Sequence, residues 1–424
     1  MNSEPTDTAS PGSGVSPRPV ELLAPAGNFE KLKIAIHYGA DAVYVGGRDY
    51  SLRNQADNFT EAQLREAVAY THGHGARIYV ALNVFARNGD LPGLIRFIDT
   101  LAALRPDGII VSDPGVVRLI RQRTPGLPIH LSTQANTTNH LSARFWQEQG
   151  VARINAAREL SLTEVAELAA ADGPEIEVFV HGAMCIAYSG RCLLSSYLTG
   201  RDGNQGLCTQ TCRWPYRVTE ETRPGQYFPL EEDGRGSYVF SSRDLCMLDH
   251  LPALIRSGVR ALKIEGRMKG IHYLATVVGT YRQALDAYYH DPDHYRPPPR
   301  WQKEVAAVSR RELSTGFYFG DPSQIEPQYG EPRRGNIHIF IAKVVQAGPG
   351  ELVTVEVRNR LTPGMAVEVL SPRQPVRPDR IESIRDDADC PLDVAHPGQI
   401  VQLRLRRSCQ PWDLIREKQD NGDL

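Results

Sequence analysis

The chain has 424 residues, enough for two or three domains at the ~150 residues typical of one. Hydrophobic residues make up 41% and charged residues 23%, an ordinary globular balance, and no apolar run approaches the roughly 18 residues a membrane-spanning helix needs. With 48 Lys and Arg against 50 Asp and Glu the formal charge is −2, so any contact with nucleic acid must rest on local basic patches.

Residues 1–19 are rich in Ser, Pro, Thr and acids, with no early basic cluster and no apolar core. They read as a disordered tail rather than a secretory signal, which points to a cytoplasmic protein. From residue 20 a strand-then-helix rhythm begins. Residues 21–27 (ELLAPAG) form a short strand and turn, and Asn28 is placed to cap the amphipathic helix at 29–38. Further strands follow at 42–46 (AVYVG), 77–83 (RIYVALN), 108–113 (GIIVSD), 129–134 (IHLSTQ), 152–155 (ARIN), 175–180 (EIEVFV) and 261–265 (ALKIE), with helices between them from about Thr60 and at 162–171. Each strand is a nearly continuous apolar run, the pattern of a parallel sheet buried on both faces.

Eight such units over ~250 residues predict a TIM-like (β/α)8 barrel. The alternative is an open doubly wound sheet, but no Gly-x-Gly-x-x-Gly follows the first strand. In a barrel the reactive mouth is lined from strand C-termini. That rule nominates Asn83, Asp113, Gln134, His181 and Glu265, with a cysteine-rich loop starting just after strand seven. The barrel domain is expected over 20–320, with a polar surface insertion at 217–237, a long helix at 271–290 and a Pro/Gly-rich linker at 321–335.

The pattern then changes period. Strand-like runs at 339–345, 352–358, 366–371, 381–385 and 399–406 are separated by Pro-Gly turns, and predict a small antiparallel β-barrel over 336–424. On the last run Val401, Leu403 and Leu405 should point inward. Arg404 and Arg406 then share the outer face with Arg407 beside them, either as a solvated edge or as a stripe for phosphates.

Five of the seven cysteines fall between 185 and 246. Cys185, Cys192, Cys208 and Cys212 give C-x6-C-x15-C-x3-C, and four thiolates suit a tetrahedral zinc or a 4Fe–4S cluster; spacing alone does not choose between them. Gly182, Gly190 and Gly206 flank these cysteines, while Arg191 and Arg213 are placed to offset cluster charge. Cys246 is the reserve ligand, and Cys390 and Cys409 read as packed or exposed thiols. No zinc-protease, serine-hydrolase or Walker motif is present. Glu265 and Arg267, in KIEGR, are candidates for binding a carboxylate-bearing ligand or for pairing with each other. His181 and Gln134 complete the list of candidate catalytic residues.

The run EVFVHGAMCIAYSGRCLLS at 177–195 resembles the defining pattern of the collagenase-like peptidase family, in which position 181 is free to vary. ELLAPAG at 21–27, GADAVY at 39–44, SDPG at 112–115, KIEGR at 263–267 and NQGLC-x3-CRW at 204–214 are also similar to it, so the resemblance spans about 21–320. The family is divided in function. Some members are described as proteases; others are oxygen-independent hydroxylation proteins whose four cysteines hold a 4Fe–4S cluster. The Cys-x3-Cys-Arg-Trp element and the added small barrel make the chain most similar to the branch acting on tRNA. That resemblance implies hydroxylation of the wobble uridine to 5-hydroxyuridine, with prephenate as co-substrate or helper. It also implies Cys185, Cys192, Cys208 and Cys212 as cluster ligands, with the fourth place open between Cys212 and Cys246. Expected partners are tRNA and a protein partner or electron donor, with no membrane. A peptidase and a structural-zinc RNA-binding protein are the competing readings.

Overall fold

The computed structural model describes residues 19–48, 50–51, 58–185, 187–205, 207–214, 243–309, 311–320, 338–348 and 351–418, plus a small hairpin, β8 (Glu232–Asp233) and β9 (Gly236–Ser237). The expected tail (but for Pro19), the linker at 321–335, Gly206, the Arg213 side chain and most of the 217–237 insertion lie outside the described residues.

Seven parallel strands run in chain order: β1 (Glu21–Pro25), β2 (Ala42–Gly46), β3 (Arg77–Leu82), β4 (Gly108–Val111), β5 (Ile129–Leu131), β6 (Val151–Asn155) and β7 (Glu175–Ala183). Beyond β10 (Asp244–Cys246), the strand β11 (Ala261–Ile264) pairs in parallel with both β1 and β7 and closes the eight-stranded barrel. The expected (β/α)8 architecture is therefore present, every strand lying within about two residues of its sequence position except for β5, which ends three residues earlier, and β7, which ends three later. β10 and the short β12 (Leu313–Ser314) were not anticipated. β10 pairs antiparallel with the upper half of β7 and extends the sheet beyond the closed ring.

The helices are α1 (Phe29–His37), α2 (Glu61–Gly73), α3 (Leu91–Leu104), α4 (Pro114–Arg123), α5 (His140–Glu148), α6 (Leu162–Ala170), α7 (Leu194–Thr199), α8 (Leu251–Arg256) and α9 (Ile271–His290); the short α7 and α8 were not anticipated. Asn28 accepts the Lys31 N–H at 2.9 Å, as expected of a cap, and Thr60 with Gln63 and Ser161 with Glu164 form capping boxes. The apolar helix faces bury Leu32, Ile34, Leu64, Ile98 and Val117 against the outer barrel wall in one continuous core.

Inside the barrel the layers differ. Leu23, Tyr44, Tyr79, Ala81 and Ile110 form an apolar plug. Toward the N-terminal end lies a buried ionic network: Arg153 donates to Glu21 at 2.6 Å and Glu175 at 2.8 Å, the Tyr79 hydroxyl donates to Glu21 at 2.8 Å, and Lys263 donates to Glu177 at 2.8 Å.

The C-terminal region is a seven-stranded antiparallel half-barrel, ordered β16-β15-β19-β13-β14-β18-β17. Its strands are β13 (His338–Ala347), β14 (Leu352–Val357), β15 (Ala366–Leu370), β16 (Arg377–Arg380), β17 (Ser383–Arg385), β18 (Ile400–Arg404) and β19 (Leu414–Lys418). β16 and β19 add to the five runs read from sequence. Val401, Leu403 and Leu405 are buried and Arg404, Arg406 and Arg407 exposed, as their alternation requires. Helix α10 (Pro299–Val308) joins the two units: Arg416, fully buried on β19, donates two bonds to its Glu304, at 2.7 and 2.8 Å. The Tyr38 hydroxyl, just after α1, donates to the Leu370 carbonyl at 2.8 Å.

Candidate functional site

At the C-terminal ends of the barrel strands a cavity of about 70 Å³ is lined by Asn83, Gln134, Asn155, Arg158, Lys263, Glu265 and Arg267, among others. Three of these, Asn83, Gln134 and Glu265, were expected on the rim, and Arg267 was expected beside Glu265. The Asn83 amide donates to Gln134 Oε1 at 3.3 Å and to Ser132 Oγ at 3.4 Å, while Ser132 also hydrogen-bonds Gln134. Two neutral amides and a hydroxyl are thereby held in one fixed arrangement.

Arg267 is 4% exposed, its guanidinium donating to Ser51 Oγ at 2.7 Å and to Asn58 Oδ1. The space it fills exists because residue 46 has no side chain: a Cβ there would stand 2.7 Å from Ser51 Oγ and 2.9 Å from Arg267 Cζ. Gly182 does the same for the neighbouring turn. Its φ is +105°, and a Cβ would come within 2.5 Å of the Glu265 carbonyl oxygen. Lys263 reaches the cavity from below, its ammonium 4.7 Å from the Tyr44 ring centre and bonded to Glu177.

Three expectations for this rim are corrected. His181 is buried (1% exposed) and does not line the cavity. In the pairing of β7 with β11, Lys263 faces Phe179 and the next residue, Ile264, faces His181, so Val180 is passed over; this breaks the alternation along β7 and turns His181 out toward α9. There its Nδ1 lies 3.4 Å from the Tyr281 hydroxyl, and burial pushes its pKa down to about 3, so the ring is neutral. Asp113 caps α4, its Oδ1 accepting the Val116 N–H at 3.0 Å, and is not part of the cavity lining. Cys246 lies in the hydrophobic core within reach of the Tyr281 hydroxyl (3.9 Å), where burial raises its thiol pKa and favours the protonated form. Its surroundings are those of a packed thiol, as are those of Cys409, whose pKa burial pushes up to about 12; Cys390 is exposed.

Arg158 was missed. It follows β6, outside any strand or recognisable motif, so no sequence signal marks it. Its guanidinium stacks 4.2 Å from the Phe179 ring centre, and Nη1 donates to Cys185 Sγ at 3.4 Å. It thus connects the cavity to the cysteine segment.

That segment, roughly 184–214, packs over the mouth. Gly190, with φ +75°, sits so close to the β5 loop that a Cβ would meet Gln134 Cβ at 2.9 Å. The Phe85 N–H donates to the Asn204 carbonyl at 3.2 Å, and Arg87 pairs with Asp202 at 3.5 Å. Cys185 is exposed and Cys192, Cys208 and Cys212 are partly exposed; none forms a disulfide. The Gln210 N–H donates to Cys208 Sγ at 3.4 Å. Among the described residues no three His, Cys, Asp or Glu side chains are gathered closely enough to hold one ion, so the four sulfurs do not form a ready cage. Donor chemistry still fits a thiolate-bound centre, since four accessible cysteines share one segment and two of their sulfurs already accept N–H donors. Large apolar side chains are also exposed along it, notably Tyr188, Leu193, Tyr197 and Trp214.

Fold and site together define a parallel barrel whose polar, cationic mouth lies under a cysteine-bearing cap, with an antiparallel half-barrel on its flank. The chain belongs to peptidase family U32: the family model matches residues 27–328, and the model of the family's C-terminal domain matches 337–416. It is 41% identical to tRNA hydroxylation protein P1 of Bacillus subtilis, over 96% of both chains. It is 35% identical to tRNA hydroxylation protein P of Escherichia coli, over 83% of this chain and 86% of that one. A collagenase of Porphyromonas gingivalis is 29% identical over 93% of this chain and 97% of its own. Among the described residues no helix is long and apolar enough to cross a membrane.

Proposed function

We propose that this chain is a tRNA-modifying enzyme. In this reading it hydroxylates the wobble uridine at C5 without dioxygen, with prephenate as hydroxyl source or helper and a 4Fe–4S cluster on Cys185, Cys192, Cys208 and Cys212. Relatives named for tRNA hydroxylation, among them two similar over most of the chain, support the substrate class. The observation that carries the site is the cysteine segment lying across the barrel mouth, joined to the cavity by Arg158 through Cys185.

Bound there, such a cluster supplies one-electron redox chemistry beside the cavity. The chain's own groups do the rest. Arg158 places positive charge against the Cys185 sulfur. Arg158, Lys263 and the anchored Arg267 make the mouth attractive to a carboxylate-bearing helper, and Asn83 and Gln134 offer neutral donors and acceptors for its hydroxyl or carbonyl groups. A peptidase reading needs an accessible nucleophile and base. The imidazole nearest that loop in sequence, His181, is instead sealed in the core beside Cys246.

The deciding experiment is anaerobic purification with iron and sulfide analysis. A brown protein absorbing near ~400 nm, bleached by Cys192→Ser, is expected. A colourless protein with stoichiometric zinc would overturn the redox reading. Mass spectrometry of tRNA from a deletion strain should show depleted 5-hydroxyuridine, restored by the wild-type chain and not by Cys192→Ser. Cysteine-dependent peptidase activity surviving iron chelation would favour the competing reading.

A further inference from the structure

A second cavity, about 960 Å³, lies between the barrel and the C-terminal half-barrel. It is far larger than the mouth and is contiguous with the cysteine segment, since Gln210, between Cys208 and Cys212, forms part of its lining. Lys31, Lys269, Arg311 and Arg358 bring four positive charges to it against two carboxylates, Glu30 and Asp244. Glu30 pairs with Lys343 and Arg358, which leaves Lys31, Lys269 and Arg311 as the cavity's other cations; Asp244, 3% exposed, accepts from Ser309 at 3.3 Å through Oδ2, and among the described residues its Oδ1 has no hydrogen-bond partner. A cation-rich cavity on a chain of net charge −2 is a local feature with a polyanion's complement.

A second buried polar atom of the cavity also lacks a partner among the described residues. His272 is 6% exposed, yet its Nε2 has no hydrogen-bond partner among them, and its ring stacks on Phe340 with centroids 5.9 Å apart and planes 16° from parallel. A buried unpaired imidazole nitrogen is costly unless a ligand supplies the missing partner. Beside it, Phe340 and the 47%-exposed Met268 offer apolar surface. Spaced cations, apolar and aromatic surface and a neutral hydrogen-bonding nitrogen together match one chemistry: a sugar–phosphate strand carrying 2′-hydroxyls. Lys31 donates to the Arg267 carbonyl at 3.2 Å, so the two cavities share a wall.

Resting on the reading that RNA is the substrate, we infer that this inter-domain cavity seats a single-stranded segment of that RNA. Its phosphates lie against Lys269 and Arg311, and one ribose 2′-hydroxyl lies at His272 Nε2. The strand thereby threads past Gln210 toward the cysteine segment and the barrel mouth. Both domains hold the substrate, which gives the half-barrel a function beyond stability.

The test uses the full chain, a fluorescent anticodon stem-loop RNA and the DNA of the same sequence, read by anisotropy across a salt series. Wild-type protein should prefer the RNA. The double variant Lys269→Glu/Arg311→Glu should weaken RNA binding at least about tenfold, with a salt dependence shallower by about 0.7 for each phosphate that is no longer neutralised. His272→Phe keeps the stacked ring and should erase the preference for RNA over DNA, leaving DNA binding unchanged. Unchanged thermal unfolding certifies the fold of each variant; if one fails to fold, Lys269→Gln and His272→Asn serve in its place. RNA binding undiminished in the charge variants overturns the cavity assignment and leaves the substrate reading standing. Wild-type protein that binds no RNA overturns both, and an acidic peptide competing as well as RNA assigns the cavity to protein recognition instead.

Discussion

At position 46 the difference between hydrogen and methyl decides whether Arg267 keeps its place. A Cβ would press on Ser51 Oγ and the guanidinium, neither of which has room to retreat, because both are buried and bonded to each other. Overpacking of this kind costs about 1–3 kcal/mol. Gly46→Ala should therefore lower the unfolding free energy from urea titration by that much and displace Arg267 from the mouth; on the proposed function it should also deplete 5-hydroxyuridine in tRNA from cells that carry it. Unchanged stability with normal modification would show that the Arg267 pocket yields easily. The motif GADAVYVGG reads in sequence as a strand; only the packing shows that one of its glycines serves an arginine more than 200 residues away.

Among the secondary-structure elements, Asp113 separates a capping role from a catalytic one. It accepts the Val116 N–H and precedes Pro114 at the first turn of α4, so its carboxylate oxygen is what matters, and an amide oxygen serves as well. Asp113→Asn should leave stability within a few tenths of a kcal/mol and activity intact, while Asp113→Ala should cost about 1 kcal/mol. Loss of tRNA modification in the Asn variant at unchanged stability would restore Asp113 to the mouth. The barrel was legible because parallel strands buried on both faces leave continuous apolar runs, and because Asn28, Thr60 and Ser161 announce helix starts. β16, reading Arg-Pro-Asp-Arg on a sheet edge, has no alternation to detect. β19 hides a fully buried arginine at position 416, whose partners are Glu368 on β15 and Glu304 on α10, outside the half-barrel. His181 misled for a related reason: period-two counting along β7 cannot foresee that Val180 is passed over in the pairing with β11. Arg158 left no trace at all, since its meaning comes from a cysteine sulfur brought to it by the fold.

For the whole molecule, the neutral buried histidines set a pH dependence. His130 lies inside the barrel among Arg153, Lys263 and Arg77; His181 lies between Tyr281 and Tyr273 and feels Lys269; His272 packs on Phe340 near Arg416 and His338. Burial, reinforced by these cations, lowers all three pKa values, to about 3 for His181 and His272. In the unfolded chain the same rings take up protons near pH ~6.5. A depressed folded pKa means that the unfolded state binds more protons, so stability is intact above ~6.5 and drains away as pH falls toward about 3. Each histidine contributes a limiting slope of about 1.4 kcal/mol per pH unit, and the three together about 4. Surface carboxylates do not titrate until nearer pH ~4, so urea midpoints measured from pH 7.5 down to 5.5 isolate the histidine term. They should fall steadily below pH ~6.5, and His272→Phe should flatten the fall by about a third. A midpoint constant across that range would mean that these rings meet solvent or accept protons in place. In that case the cavity beside His272 would be an open, wet junction between the domains.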